Sequence, residues 1–340
     1  MAKPGEGEEA MAQVVLGIGT SHGPMLVTES QSWGIRVPAD KANIHAWRGG
    51  DWSFDQLVAA RAGEGLDQQI TEQVWEQRQA ACQSNIERLA DIFAEARIDV
   101  AVIVGNDQNE IYRTTLNPAF AVHYGETILN HELGAQRLQE LPPGIAASLP
   151  GYIPAGGADY RGCPDLARKI IDVAIADEFD VAAMSALPRE ETPHAWGFVF
   201  RRIMRDNPCP SVMVTVNTFY PPNQPRARRC FDFGQSILKA IRAWDSDQRV
   251  ALIASGGLTH FVIDEEVDRT FLAALENNDL APVFAMGETV FRDGTSEMKN
   301  WIPVAGAMAE AGLRPEVLDY IPCYRSEAGT GNAMGFVCWR

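Results

Sequence analysis

Short apolar runs that end in glycine or polar residues alternate along the chain with stretches of helical periodicity. The first two runs are AQVVLGIGT at 12–20 and DVAVIVG at 99–105, and apolar residues at helical spacing predict an amphipathic helix over 70–97 between them. A strand, a helix and a strand in this order predict a right-handed parallel βαβ unit. The alternation therefore favours a parallel sheet with helices packed on its faces.

The rest of the chain continues this pattern with few interruptions. Further helices are predicted over 164–178, 231–246, 264–279 and 296–312, and further strands over 179–187, 210–219 and 249–257. Strands and helices alternate to the end, whereas 113–160 is predicted to be rich in loops. We therefore predict a single three-layer α/β/α domain with a mostly parallel central sheet over 13–340. A flexible tail is predicted at 1–12, and a loop-rich excursion from the domain at 28–65.

Charge and cysteine content narrow the class of protein. The 340 residues carry a formal net charge of −16, and the densest basic stretch holds only Arg226, Arg228 and Arg229. Nucleic acid and anionic membranes repel such a chain, so neither is an expected partner. Six scattered cysteines without a C-x-x-C pair indicate reduced thiols. With no secretory signal and no apolar run of roughly 20 residues, a cytoplasmic protein is expected.

Three of the predicted strands end in clusters of polar residues that could take part in binding or catalysis. These are GIGTSHG with His22, VIVGNDQNE with Asp107 and Gln108, and IASGGLTH with His260. The carboxyl ends of strands in a wound parallel sheet lie along one edge, so these clusters are expected to share a pocket. GIGTSHG is not a dinucleotide fingerprint, because His22 occupies the third glycine position.

Among the six histidines, His22 and His260 are the strongest candidates, because small neighbours leave room for a ligand. His194 follows a proline at the start of an apolar helix. Glu297 lies in a predicted first helical turn, where an acid also stabilises the helix dipole without any site role.

Four segments together resemble one family. GTSHGPM, ASGGLTHFV, TFYPPNQPRARRCFDFG and GTSEMKNW are similar to class III extradiol ring-cleavage dioxygenases, the family of the protocatechuate 4,5-dioxygenase catalytic subunit. The likeness is strongest to its gallate and 3-O-methylgallate dioxygenases. It runs from about residue 13 to the C-terminus. It implies extradiol cleavage of a catecholic aromatic acid such as gallate, 3-O-methylgallate or protocatechuate, with O2 and non-haem Fe(II).

The resemblance also implies roles for individual residues. His22 and Glu297 match the first iron histidine and the iron glutamate of the family, and His260 matches its acid/base histidine. His194 matches a further active-site histidine less closely, because PHAWG stands here for Asp-His-Gly. Three protein ligands on one face of the iron would leave positions for the substrate and O2.

The chain departs from the family at its second iron ligand. The family has a histidine after Asn-Asp at the end of this strand, whereas GNDQNE places Gln108 there. An amide oxygen is a weaker donor to Fe(II) than imidazole. Gln108 is the expected ligand, with Asp107, Glu110 or His45 as alternatives, and a site that holds iron poorly is a third outcome.

Two other functions remain open from the sequence. A metal-dependent hydrolase could use the same donors with zinc, and a non-catalytic subunit could carry a decayed metal site. A homodimer is the expected assembly, and the resemblance adds a small helical second subunit as a further partner. If the substrate is a ring acid, Lys299 and the arginines of RARR at 226–229 are candidate cations for its carboxylate.

Overall fold

The computed structural model describes residues 11–112, 116–142 and 144–340. The predicted tail at 1–12 therefore lies almost wholly outside the described residues. Ten α-helices are assigned in the described part of the chain. They are α1 Val37–Ala42, α2 Phe54–Ala60, α3 Glu72–Glu95, α4 Ala135–Gln139, α5 Pro164–Ala176, α6 His194–Phe198, α7 Ala227–Arg242, α8 Glu265–Glu276, α9 Ala281–Ala285 and α10 Met298–Ala311.

The described residues form thirteen strands. They are β1 Gln13–Thr20, β2 Ile44–Trp47, β3 Gly50–Ser53, β4 Val100–Gly105, β5 Phe120–His123, β6 Thr127–Asn130, β7 Ala158–Arg161, β8 Val181–Met184, β9 Ser211–Val216, β10 Arg249–Ser255, β11 His260–Val262, β12 Pro315–Tyr324 and β13 Thr330–Trp339. Nine of them form one sheet in the order β11-β13-β1-β10-β4-β9-β5-β8, with β12 paired to β13. The short pairs β2–β3 and β6–β7 stand apart from it.

The centre of the sheet is parallel, as the alternation of strands and helices predicts. Strands β1, β10, β4 and β9 run side by side in the same direction. The predicted α/β fold with helices around a mostly parallel sheet is confirmed. The parallel relation of β1 and β4 is also confirmed, but β10 lies between them, so the two strands are not neighbours.

Residues near the C-terminus depart from the predicted alternation. Helix α10 is followed by two ten-residue strands, β12 and β13, which pair with each other antiparallel. Strand β13 also pairs antiparallel with β1 and so extends the parallel centre on one side. The prediction that strands alternate with helices to the end is therefore wrong for this hairpin.

Strand β4 shows why the sheet has a core on both faces. Val100, Val102 and Val104 pack in one apolar cluster with α5, α7, α8 and α10. Ala101 and Ile103 pack in the other, with α3 and α6. Successive strand side chains point to opposite faces, so an uninterrupted apolar run suits a strand covered on both sides.

Two predicted irregular regions contain short elements. The segment 28–65 forms a 3₁₀ helix at Ser30–Arg36, then α1, the β2–β3 hairpin and α2. Helix α2 begins with a capping box, in which Ser53 and Gln56 exchange side-chain and backbone hydrogen bonds. The region 113–160 contributes β5 to the main sheet and the β6–β7 pair beside it. No helix in the described ranges is long and apolar enough to cross a membrane.

Candidate functional site

The polar residues that follow the central strands line one cavity of about 340 Å³. His22 follows β1, Gln108 follows β4, and His260 begins β11 after the Gly-Gly turn at the end of β10. Glu297 ends a 3₁₀ helix, Asp293–Glu297, that leads into α10. The pairing of Thr20 with Ser255 and of Ala254 with Val104 holds these ends side by side. These side chains line one cavity at the sheet edge, as expected for the ends of neighbouring parallel strands.

Glu297 is the point at which the polar contacts meet. Gln108 Nε2 and Asn106 Nδ2 donate to its Oε1 over 2.6 and 3.1 Å. The backbone N–H of Gly257 donates to its Oε2 over 2.9 Å. Burial acts to raise the pKa of Glu297, but nearby groups, the imidazole of His260 foremost, outweigh burial and hold that pKa well below its usual range. Glu297 is therefore a buried carboxylate, not a carboxylic acid.

The tautomer of His22 follows from its hydrogen bonds. His22 Nδ1 lies 2.9 Å from Ser255 Oγ, and the Ser255 hydroxyl donates its single proton to the Ala195 carbonyl over 2.6 Å. Ser255 Oγ can therefore only accept from His22, which places the proton on Nδ1. Burial lowers the pKa of His22 despite the attraction of Glu297, so the ring is neutral at pH 7. The lone pair of Nε2 is then free.

The free lone pair of His22 Nε2 faces a carboxylate oxygen of Glu297, which is also electron-rich. His22 Nε2 lies 3.2 Å from Glu297 Oε2 and has no hydrogen-bond partner among the described residues, although it is buried. A nitrogen lone pair and a carboxylate oxygen repel each other at this distance unless a cation lies between or beside them. Metal-binding histidines commonly donate the other ring N–H to an oxygen, as His22 does to Ser255. The pair fits a divalent cation.

Gln108 completes the set of nearby donors. Its amide contacts Glu297 through Nε2, and exchanging the amide oxygen and nitrogen by a half-turn of the amide would bring Oε1 to the same place. Within the described ranges, no three His, Cys, Asp and Glu side chains are arranged to hold a metal ion. The Gln108 amide, in hydrogen-bond contact with Glu297, lies close enough to act as a third donor beside His22 and Glu297.

The three alternatives to Gln108 are engaged elsewhere. Asp107 accepts from the backbone N–H groups of the next turn, over 3.1 Å from Glu110 and 2.8 Å from Ile111. Glu110 accepts from both the backbone and the ring of His194. His45 Nε2 lies 2.8 Å from the Asp40 carbonyl oxygen.

His260 is placed to exchange protons beside Glu297. Its Nδ1 donates to the Leu258 carbonyl over 3.0 Å, which directs Nε2 to within 3.6 Å of Glu297 Oε1. Burial acts to lower the pKa of His260, yet the Glu297 carboxylate more than offsets burial and raises that pKa above its ordinary value. The imidazole can therefore hold or release a proton near neutral pH.

His194 carries a positive charge on the other side of His22. The two rings meet edge to face with centroids 4.6 Å apart. Burial opposes the charge, but Glu110, 2.9 Å from Nδ1, raises the pKa of His194 to about 9. Glu110 is held as a carboxylate in turn, since His194 lowers its pKa against the effect of burial.

Glycines allow the backbone to approach His260 closely. A Cβ on Gly257 would lie 2.5 Å from His260 Nδ1, and one on Gly294 would lie 2.4 Å from the His260 carbonyl oxygen. Neither position has room for a side chain. Phe261, the next residue and part of the cavity wall, has φ of 66°, a strained value for a bulky side chain. The GGLTH turn is thus shaped to present His260.

Several residues of the site have no signal of their own in the sequence. Asn300 donates to Asn106 Oδ1 over 2.7 Å, which fixes the Asn106 amide with its nitrogen toward Glu297. Tyr152 donates to the His22 carbonyl oxygen over 3.0 Å from a region predicted to be loops. Only the amides could have been suspected, because Asn106 lies in GNDQNE and Asn300 in SEMKNW.

The cations suggested from the sequence for a substrate carboxylate lie outside the cavity. Lys299 is buried and pairs with Glu288 over 2.8 Å. Arg228 pairs with Asp232, and Arg229 donates to the Glu178 carbonyl oxygen. The cavity is lined instead by three other arginines: Arg36, Arg137 and Arg325.

Comparison with known proteins identifies relatives of the chain. The family model described as the catalytic LigB subunit of aromatic ring-opening dioxygenase matches residues 66–331. A gallate dioxygenase of Pseudomonas putida is 28% identical over 173 residues, which cover 46% of this chain and 49% of that protein. The chain thus spans about half the length of this curated relative. The matched family region includes Gln108, His194, His260 and Glu297, and begins after His22.

Proposed function

This chain belongs to the family of catalytic LigB subunits of aromatic ring-opening dioxygenases, and from that premise we propose that it performs extradiol cleavage of a catecholic aromatic acid with O2 and Fe(II). The observation that carries the proposal is the free lone pair of His22 Nε2, 3.2 Å from the ionised Glu297 carboxylate. Two such donors, buried and facing each other, are explained by a metal ion that both of them bind.

The proposed ligands are His22, Glu297 and the amide oxygen of Gln108. Imidazole and carboxylate are the donors of the two-histidine, one-carboxylate oxygenases, and the amide replaces one imidazole here. When bound, Fe(II) would supply Lewis acidity toward the diol and the redox chemistry that O2 requires. The neutral Nδ1–H tautomer of His22 leaves Nε2 ready for this role without loss of a proton.

His260 is proposed to transfer protons to and from the substrate, and His194 is proposed to stabilise its negative charge. The raised pKa of His260 suits it to take a proton from a diol hydroxyl at Nε2 and to return it to the opened product. The His194 imidazolium, held by Glu110, would stabilise negative charge that develops on substrate oxygens. Gallate, 3-O-methylgallate and protocatechuate are the proposed substrate class.

The test is anaerobic loading with Fe(II), followed by O2 uptake with these three acids. One O2 should be consumed for each ring opened. His260→Phe should keep its iron and lose most turnover, whereas His22→Ala and Glu297→Ala should lose iron by metal analysis. Hydrolase activity with zinc, or no tight metal after iron loading, would contradict the proposal.

The cellular compartment and the oligomeric state of the enzyme are proposed on separate grounds. All six cysteines are free thiols, which supports a reducing compartment such as the cytoplasm. We propose a homodimer, because twofold dimers are the commonest assemblies. Light scattering coupled to size exclusion would report its mass, both alone and with a small helical second subunit.

A further inference from the structure

Arg36 presents an unsatisfied positive charge to the cavity. It ends the 3₁₀ helix Ser30–Arg36 in the segment 28–65 and lines the same cavity as His22, His260 and Glu297. Its Nη1 is buried and has no hydrogen-bond acceptor among the described residues. A guanidinium nitrogen kept from water without a partner is costly, so this position implies an anion that is brought by a ligand.

The surrounding charges leave Arg36 uncompensated. Asp40 is the nearby carboxylate, but Arg325 binds both of its oxygens, Nε to Oδ2 and Nη2 to Oδ1, each over 2.7 Å. Thr330 donates to Asp40 Oδ2 as well. Burial and the neighbouring Arg325 lower the pKa of Arg36, and Asp40 only partly opposes them. Two guanidinium groups thus share one carboxylate, and the excess charge is positive.

Arg325 connects this charge to the proposed catalytic end of the cavity. Its Nη1 lies 3.4 Å from Asn332 Oδ1, and Asn332 is the β13 residue paired with His260. The charge of Arg325 acts on both His260 and Arg36. The residues proposed to act on the diol and the uncompensated arginine therefore line one small cavity.

The remaining walls favour an aromatic ring over a polar chain. Leu141, Ile145, Leu149 and Ile153 line the same cavity as Arg36. Arg137, another cation there, pairs with Glu140 over 3.4 Å through Nη1, although its buried Nε has no hydrogen-bond partner among the described residues. At about 340 Å³ the cavity is at the small end of ligand sites, roughly 300–1,000 Å³, which suits a single-ring molecule.

We propose that Arg36 binds the carboxylate of the aromatic substrate and so makes the enzyme selective for ring acids over uncharged catechols. This rests on the proposed function for the identity of the ring, but the binding of the carboxylate does not require turnover. A guanidinium binds a carboxylate through two parallel hydrogen bonds, so it selects for this group by geometry as well as charge.

The test compares gallate with pyrogallol, which has the same three hydroxyls and no carboxylate. Binding is measured by anaerobic calorimetry, so no ring is cleaved. Arg36→Gln should raise the Kd for gallate by about 10-fold to 100-fold and leave that for pyrogallol within about 2-fold, since one charge-assisted contact is lost. Arg36→Lys should recover part of the loss for gallate. Arg228→Gln, at an exposed arginine that pairs with Asp232 outside the cavity, is the matched control and should alter neither Kd by more than about 2-fold.

Each outcome bears on one of the two proposals. Equal weakening of both ligands by Arg36→Gln, or no measurable preference of the wild type for gallate, would overturn the role of Arg36 while leaving ring cleavage intact. Charge-selective binding that depends on Arg36, in a protein that consumes no O2 with any catechol, would instead support the subsite and overturn the proposed reaction. Circular dichroism of each variant separates loss of binding from loss of fold.

Discussion

At position 108, the side-chain atom that faces Glu297 determines which donor the site can offer to a metal ion. Its amide contacts Glu297 over 2.6 Å and lies in the place of a histidine in the resembled family. An amide oxygen binds a divalent metal less strongly than imidazole. As a proposed ligand, Gln108 would therefore give the site a weaker metal affinity than that of a two-histidine site.

Replacing Gln108 by histidine should restore the stronger donor. Gln108→His is expected to lower the Kd for Fe(II) by about 10-fold or more, because imidazole suits Fe(II) better than an amide does. Metal retained after anaerobic loading and dialysis measures the effect. The same change at Asn109, which lines the cavity without a hydrogen bond to Glu297, is the control. Equal iron retention by both variants would count against Gln108 as a ligand.

Glu110 is expected to set the charge of His194. The pKa of His194 is about 9 because the Glu110 carboxylate outweighs burial. Glu110→Gln removes that carboxylate, so burial should gain weight and the pKa of His194 should fall clearly below 9. Titration of the His194 ring by NMR would follow the change, and a pKa that stays near 9 would show that another group holds the proton.

At the scale of elements, close helix packing depends on single glycines. Gly234 lies in α7 where it crosses α10, and a Cβ there would lie 1.8 Å from the Pro303 carbonyl oxygen. The neighbour is backbone, which cannot move aside cheaply. Helix α10 begins directly after Glu297, so its packing against α7 also holds the Glu297 carboxylate at the sheet edge.

Gly234→Ala should therefore destabilise the fold. The expected loss is about 1–3 kcal/mol in the free energy of unfolding, the usual cost of overpacking. Urea denaturation followed by circular dichroism would measure it. Gly63→Ala, where an added Cβ meets nothing within 4 Å, should change stability little and serves as the control. A similar stability for both variants would show that α7 and α10 can separate without cost.

At the scale of the whole molecule, buried carboxylates couple stability to pH. Asp268 accepts from the backbone and hydroxyl of Thr259 and from the Tyr320 hydroxyl, and so joins α8 to the GGLTH turn and to β12. Burial raises the pKa of Asp268 from 3.8 to about 7, more than these donors lower it. The folded state therefore keeps a proton that the unfolded chain has released.

Stability should consequently fall as pH rises through this window. Between pH 4 and 7 the folded chain binds one more proton at Asp268, so the free energy of unfolding should decrease by up to about 1.4 kcal/mol per pH unit from this group. Asp268→Asn should reduce that slope, as measured by urea denaturation at several pH values. Asp67→Asn, at an exposed position, should leave it unchanged. An identical slope in Asp268→Asn would mean that Asp268 does not titrate here.

Much of the layout could be predicted from sequence because it depends on local pattern. Helix α5 begins at Pro164 as its proline suggests, and the 70–97 helix is observed as Glu72–Glu95. His22, Gln108 and His260 could be grouped in advance because strand ends in a parallel sheet share an edge, whereas Glu297 could be added only through the family resemblance. The roles of these four residues stay predictions.

Local sequence pattern is enough to specify the strand and helix periodicities, the α/β class and the residues at the ends of the central strands. The position of β10 between β1 and β4 follows from packing between distant segments, so it becomes visible only in the folded chain. The same is true of the backbone hydrogen bonds of Asp107, the pairing of Glu110 with His194 and the lack of an acceptor for Arg36 Nη1 among the described residues. Hydrogen-bond partners are allotted by competition among groups that meet only when the chain is folded, and no local pattern records that competition.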